Sequence, residues 1–365
     1  MERRRARDFG VRIGRLPAGP LNAITDVSGV RVGHRTIVRG DDGAPHAIRT
    51  GVTAIFPHDH DPWSERVYAG VHVLNGYGEL IGINQIREWG LLESPVVLTS
   101  SLAIGKAYDA TVRWIVGRDR DAAERVMPIV SECGDSYLSD ALSFPLQDDD
   151  VAAALDSATD GDVEEGCVGA GTGMQCFDYK GGIGTSSRVL SADAGGFTVG
   201  ALALTNHGNR EDLLIDGVRV GEQLAADMPG EHSEGSCVVV VATDAPLLPH
   251  QLSRLAQRAG LGLARGGSMA SNTSGEQMLA FSTNNRLALD GDAVSDVRAI
   301  ADGRPGSPWL LSSLFQATVE ATEEAVVNAM FAARTMTGRD GNSLHALPVD
   351  LVLPMLDRAG RLSRD

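Results

Sequence analysis

Cysteine is scarce in this chain, aromatic residues make up only 5% of it, and no apolar run reaches the ~18 residues of a membrane span. Its four cysteines, Cys133, Cys167, Cys176 and Cys237, show no CxxC spacing. That excludes the common zinc and disulfide frameworks, and the four read as buried thiols of a reducing compartment. Positive charge is also short: 32 basic residues stand against 48 acidic ones, for a net charge of −16. This balance argues against nucleic acid or an anionic membrane as a partner, since both need a basic footprint. The basic segment Met1 to Arg7 is not followed by an apolar stretch of signal-peptide length, so a cytoplasmic location is expected.

Glycine is what the chain has in excess: 43 of 365 residues, against an average usage of ~7%. There is no Gly-X-Y period, which excludes collagen, and 43% hydrophobic residues exclude a disordered chain. In a folded protein such a surplus signals tight turns, or backbone that something else approaches closely.

Periodicity places strands and helices along the whole length, with no internal repeat and no low-complexity linker. Ser28 to His34 alternates between two glycines as a strand does. Further strands are expected over Gly51 to Phe56, Val96 to Thr99, Thr198 to Thr205, Cys237 to Ala242 and Met278 to Thr283. Helical spacing covers Leu80 to Trp89, Ser101 to Val116, Leu248 to Ala259 and Leu314 to Ala333. Asp244 is the expected cap of the third helix and Gly260 its expected end. Mixed elements without strict βαβ alternation favour a layered α+β or α/β fold over a bundle or a β sandwich.

The glycine clusters Gly169–Gly173 and Gly181–Gly184 look superficially like phosphate loops. Neither meets the GxxxxGK[ST] or GxGxxG pattern, so close-packed turns are the better reading. His58-Asp59-His60-Asp61 offers ligand types but no HExxH pattern and no third ligand at a telling distance. It reads as a solvated loop, and no metal or cofactor is expected. There is also no GxSxG elbow.

The most informative segment is Leu263 to Glu276, which lies between a helix and a strand and contains Gly267-Ser268. It has the composition of a polar turn. It also permits sharper chemistry. A Ser hydroxyl can attack the carbonyl before it if the backbone twists, and Gly267 allows conformations that a side chain would hinder. Hydrolysis of the resulting ester would leave Ser268 as a new N-terminus. Its α-amine, with a reference pKa of ~7.7–8.0, would serve as the base for its own hydroxyl.

Several further segments carry a resemblance. They are Asn22 to Val27, Gly76-Tyr77-Gly78-Glu79, Gly169 to Met174, Lys180 to Thr185, Ala242 to Leu247, Gly267-Ser268, Ser274-Gly275 and Thr335 to Gly338. In number and order they resemble the DmpA-type peptidases, which include L-aminopeptidase/D-esterases and β-peptidyl aminopeptidases. The resemblance runs from about residue 9 to 350. It implies an αββα sandwich shared with the ornithine acetyltransferases. It also implies one domain, residues 1–365, that cuts itself into 1–267 and 268–365, and a homo-oligomer of the two-chain product.

Carried onto this sequence, the resemblance makes Ser268 the nucleophile of an aminopeptidase for short peptides, amides or esters with a free amino terminus. It implies Asn206 as oxyanion donor, with Asn272 as rival, and Tyr137 at the site. A Ser and a Glu two residues apart support the family's nucleophile. Thr322-Glu323-Glu324 is the nearest match, with Thr322 and Glu324 in those roles, Thr replacing Ser, and Glu323 one residue away as the alternative acid. On residue pattern alone, Glu320, Glu323 and Glu324 read as the wet face of a helix. Glu79 or Glu132 is expected to receive the substrate ammonium group. Acyl transfer of the ornithine acetyltransferase kind, with Thr as its nucleophile, and a non-cleaving binding protein are the alternatives.

Overall fold

In this computed structural model the described residues are 3–225, 235–291, 294–301 and 310–363. The chain begins with β1 (Arg31–Arg39), β2 (Ile48–Phe56), β3 (Glu65–Gly76), β4 (Leu80–Ile81), α1 (Ile83–Trp89), β5 (Leu91–Leu92) and β6 (Val96–Ser100). It continues through α2 (Ile104–Val116), α3 (Arg120–Ala123), β7 (Ile129–Cys133), α4 (Asp148–Asp156), β8 (Gln175–Cys176), β9 (Tyr179–Lys180), β10 (Gly182–Val189) and β11 (Thr198–Asn206). Then come β12 (Leu214–Ile215), β13 (Val218–Arg219), α5 (Val220–Ala225), β14 (Ser236–Thr243), α6 (Pro249–Arg265), β15 (Gly275–Ala288) and α7 (Leu310–Ala332).

Two sheets stack at the centre. One has the order β1-β2-β6-β7-β4, the other β10-β11-β14-β15-β3-β5. Neighbours are antiparallel except β6 with β7 and β14 with β15. The sequence of β14 shows how the layers arise. Val238 and Val240 point into the core between the sheets, while Val239 and Val241 point into the core under α6 and α7. A strand covered on both faces reads as an unbroken apolar run. The five-stranded sheet packs its other face on α2 and α4 through Val52, Ala54, Trp114, Val151 and Leu155. Three apolar cores between four layers make the expected αββα sandwich.

The helix boundaries needed correction. Leu80–Ile81 is a strand paired with β7, and the helix starts only at Ile83. α6 runs past Gly260 to Arg265, because Gly262 seats α6 against α7: a Cβ there would fall 2.6 Å from Thr322 Cβ. Leu248 rather than Asp244 precedes the first turn, with Pro249 at its start, while Asp244 accepts the Thr198 N–H at 2.8 Å.

Close approach also accounts for much of the glycine. A Cβ on Gly184 would fall 1.9 Å from the Ala325 carbonyl oxygen, so α7 lies directly on the backbone of β10. The cluster at 169–173 packs likewise, Gly171 against the backbone of Gly182 and Ile183. Cys133, Cys176 and Cys237 are buried, whereas Cys167 is only half-buried and takes the Arg334 N–H. Among the described residues no helix is long and apolar enough to cross a membrane.

Candidate active site

Ser268 follows the last turn of α6 by three residues. That turn is closed firmly: the Gly267 N–H donates to the Ala264 carbonyl and the Ser268 N–H to the Leu263 carbonyl, both at 3.1 Å. The Gly266 carbonyl in turn accepts the Leu214 N–H at 2.9 Å. Gly267 then takes φ +105°, and a Cβ on it would sit 1.9 Å from the Asp212 carbonyl oxygen. No L side chain fits this position, on dihedral or on space. The bond between Gly267 and Ser268 is therefore held between two anchored segments, with Ser268 partly exposed.

Three spaces adjoin the loop, one of them a cavity of about 480 Å³ lined by His72, Leu74, Leu263, Ser268 and Met269. A narrow cleft is lined by Ser268, Gly208, Asn209, Gly235 and Ser274. Gly235 also lines a cavity of about 580 Å³ that contains Glu79, Glu132, Tyr137, Gln175, Asn206 and Thr273. Four residues chosen from sequence, Glu79, Glu132, Tyr137 and Asn206, thus share one cavity next to the Ser268 loop. Asn272 is exposed and does not line it.

Within the cavity each side chain is set by its neighbours. Asn206, at the end of β11, accepts the Gln175 N–H on Oδ1 at 2.9 Å. Its amide nitrogen is thereby turned the other way. Glu132 is buried at the end of β7; it accepts the Glu79 N–H at 3.0 Å and a hydrogen bond from the Ser101 hydroxyl. Glu79 itself is exposed. Tyr137 is 38% exposed at the cavity wall, and its carbonyl accepts from Asn342 Nδ2.

The α7 residues divide. Thr322, Glu323 and Glu324 are all buried, as is Glu320, so the wet-face pattern does not hold. Glu324 faces the N-terminal segment, bound by Arg7 Nε and Arg188 Nη2, each at 2.6 Å, and by Asn22 Nδ2 at 2.6 Å. Burial alone would raise its carboxyl, but the two guanidiniums and Asn22 outweigh this and hold it low. Glu323 instead reaches Arg265 Nε at 2.5 Å, at the base of the Ser268 loop, and its Oε1 is buried without a partner among the described residues. The Thr322 hydroxyl is likewise buried and unpartnered.

A second Ser and Glu two residues apart went unread in the sequence although they lie in the same informative segment. Ser274 lines the narrow cleft with Ser268 and donates its hydroxyl to Glu276. Both are buried, Glu276 fully so, and Glu276 Oε2 has no partner among the described residues. Burial pushes the Glu276 carboxyl up, with the Ser274 hydrogen bond pulling the other way. The spacing Ser274-Gly275-Glu276, six residues after Ser268, was the available signal.

The histidines of the 58–61 segment stand elsewhere. His58 is buried rather than solvated, bonded to the Glu65 carbonyl at 2.6 Å, while His60 is exposed.

Comparison with known proteins places this geometry in context. The family model described as peptidase family S58 matches residues 22–344. A β-peptidyl aminopeptidase, BapA of Sphingosinicella xenopeptidilytica, is 42% identical over 364 residues, covering 95% of this chain and 89% of the relative. The crystal structure of the PH0078 protein from Pyrococcus horikoshii OT3 superposes with a TM-score of 0.92 at 43% identity, covering 98% of this chain and all of the other. The L-aminopeptidase D-Ala-esterase/amidase of Ochrobactrum anthropi superposes with a TM-score of 0.89 at 41% identity, covering 98% and 99%. It is described as a prototype for the serine aminopeptidases and as a new variant among the Ntn hydrolase fold.

Proposed function

We infer the chemistry of this chain from the fact that it belongs to peptidase family S58 and is a serine aminopeptidase. The chain is made as a precursor that cuts itself between Gly267 and Ser268. Ser268 Oγ attacks the Gly267 carbonyl, the peptide becomes an ester, and water releases residues 1–267 with Ser268 as a new N-terminus. The observation that carries this reading is the conformation at Gly267, left-handed and wedged against Asp212 directly before a Ser.

In the cut enzyme the α-amine of Ser268 takes the proton from its own Oγ as that oxygen attacks the substrate carbonyl. Asn206 donates from Nδ2 to the developing oxyanion, an interaction of the kind worth about 2.7–4 kcal/mol. Water then frees the acyl group and restores Ser268. Ser274 and Glu276 support the amine, with the unpartnered Glu276 oxygen able to accept from an ammonium group. They fit this role better than Thr322 and Glu324, since Glu324 is committed to Arg7 and Arg188. Glu132 is the better receiver of the substrate ammonium than Glu79, because a desolvated carboxylate binds a cation more strongly than an exposed one. Tyr137 bounds the same space.

Substrates are short peptides, amides or esters with a free amino terminus. The cut protomers assemble into a homo-oligomer in the cytoplasm, which light scattering and fractionation test. Glu132→Gln tests the substrate end: KM for an aminoacyl amide rises about tenfold or more with a smaller change in kcat. An unchanged KM would remove Glu132 from substrate binding. Unchanged hydrolysis by Ser268→Ala would overturn the function itself.

A further inference from the structure

Lys180 is the one fully buried lysine of the described residues, and nothing in the chemistry above uses it. Its ammonium group donates to three carbonyl oxygens, of Gly171 at 3.1 Å, Met174 at 2.8 Å and Gly181 at 2.8 Å. Among the described residues no carboxylate forms an ion pair with it. Asp135, itself buried, is the carboxylate whose charge is felt there. Burying an ammonium group against neutral dipoles is costly, and an apolar side chain would fill the same space more cheaply. Such a charge calls for a reason beyond packing.

The hairpin supplies one. Lys180 in β9 pairs across from Gln175 in β8, through a tight turn in which Phe177 and Asp178 both take positive φ. The three carbonyls that Lys180 gathers belong to the turn leading into Gln175 and to the residue that follows Lys180. Gln175 gives its N–H to Asn206 Oδ1. One ammonium thus fixes the turn, the turn fixes one N–H, and that N–H fixes which way the Asn206 amide faces. We propose that Lys180 is a positioning residue for oxyanion stabilisation. It locks the 171–175 turn so that the Gln175 N–H holds Asn206 with its amide nitrogen toward the cavity.

This rests on the reading of Asn206 given above, and a double-mutant cycle separates the two claims. Rates are measured on an aminoacyl amide and normalised to the fraction of chain cut before Ser268. Lys180→Met is expected to lower kcat about tenfold with KM changed less than twofold, because the interaction lost is one made in the transition state. Gln175→Pro removes the N–H together with the side chain and its hydrogen bond to Asp178 while leaving Lys180 in place, and Gln175→Ala removes the side chain alone. The Pro variant is expected to show the same split and the Ala variant to stay within twofold of wild type. In an Asn206→Ala background both losses should vanish to within a factor of two.

Full additivity with Asn206→Ala would overturn the proposal, as would wild-type kcat in folded Lys180→Met and Gln175→Pro. If Lys180→Met fails to fold, Lys180→Gln, which keeps donors for part of the same carbonyl set, takes its place in the cycle, with the same expected loss and the same overturning result. Wild-type kcat in Asn206→Ala itself would overturn the functional reading instead.

Discussion

Two sets of buried carboxylates, one at the N-terminal segment and one at residues flanking Ser268, are built differently. Glu320 and Glu324 are saturated. Glu324 receives Arg7, Arg188 and Asn22, while Glu320 receives Arg188, Gln316 and the N–H groups of Arg15 and Leu16. Glu276 and Glu323, by the Ser268 loop, each keep one buried oxygen without a partner. A buried polar atom without a protein partner calls for a reason, and at these two carboxylates the neighbouring Ser268 loop offers one. The saturated set ties the N-terminal segment to α7 and β10. The unsaturated set holds residues that flank the bond proposed to be cut, Arg265 before it and Ser274 after it.

This contrast is open to mutation. The largest effect is expected at Glu324: Glu324→Ala leaves the buried Arg188 with Glu320 as its one remaining carboxylate partner and should lower unfolding free energy by roughly 3–5 kcal/mol. The kcat of the folded, cut fraction should stay near wild type, so denaturant titration beside a normalised assay separates the two. A loss of kcat without loss of stability would move Glu324 into the catalytic machinery.

Glu276→Gln should do the reverse. It is expected to slow turnover about tenfold to a hundredfold, within the range of a group that assists proton transfer. Its stability should hold or rise, because a neutral amide is less costly to bury than a charge. A destabilised but fully active variant would make Glu276 structural.

The smallest effect is in pH dependence, and the two carboxylates differ in sign. Glu324 is held low in the fold, so its contribution is present above the unfolded value near about 4.3 and is lost as pH falls through its folded value. Glu276 is raised, so its contribution is full below that unfolded value and is lost as pH rises through the folded one. Stability measured by denaturation across pH 3–7 should therefore fall more steeply toward acid in Glu276→Gln than in wild type. An unchanged slope would contradict the raised Glu276.

Much of this was legible in the sequence. The strands of the central sheets follow from β-branched runs such as Cys237 to Ala242, and the αββα arrangement from a resemblance spread along the chain. Ser268 stood out because glycine precedes a nucleophilic residue between a helix and a strand. The helix ends were less legible. Gly260 has the composition of a stop, yet α6 continues because Gly262 lets α7 come close, a tertiary fact that no local pattern contains. The acid pair was also obscured. Buried glutamates on α7 imitate a wet face in the sequence, and only the packing shows Glu323 turning to Arg265 and Glu324 to Arg7. Ser274 and Glu276 were hidden by the opposite effect, a polar turn composition that masks two buried side chains.

The central claim, that Ser268 is freed by self-cleavage and does the chemistry, is tested most directly by denaturing mass spectrometry of the purified wild-type chain beside Ser268→Ala. The account predicts two fragments from wild type, residues 1–267 and 268–365, that stay together under native conditions and hydrolyse an aminoacyl amide. Ser268→Ala should run as one inactive chain of full length. A wild-type chain that remains whole and hydrolyses nothing would contradict it, as would a Ser268→Ala chain that is cut at the same bond.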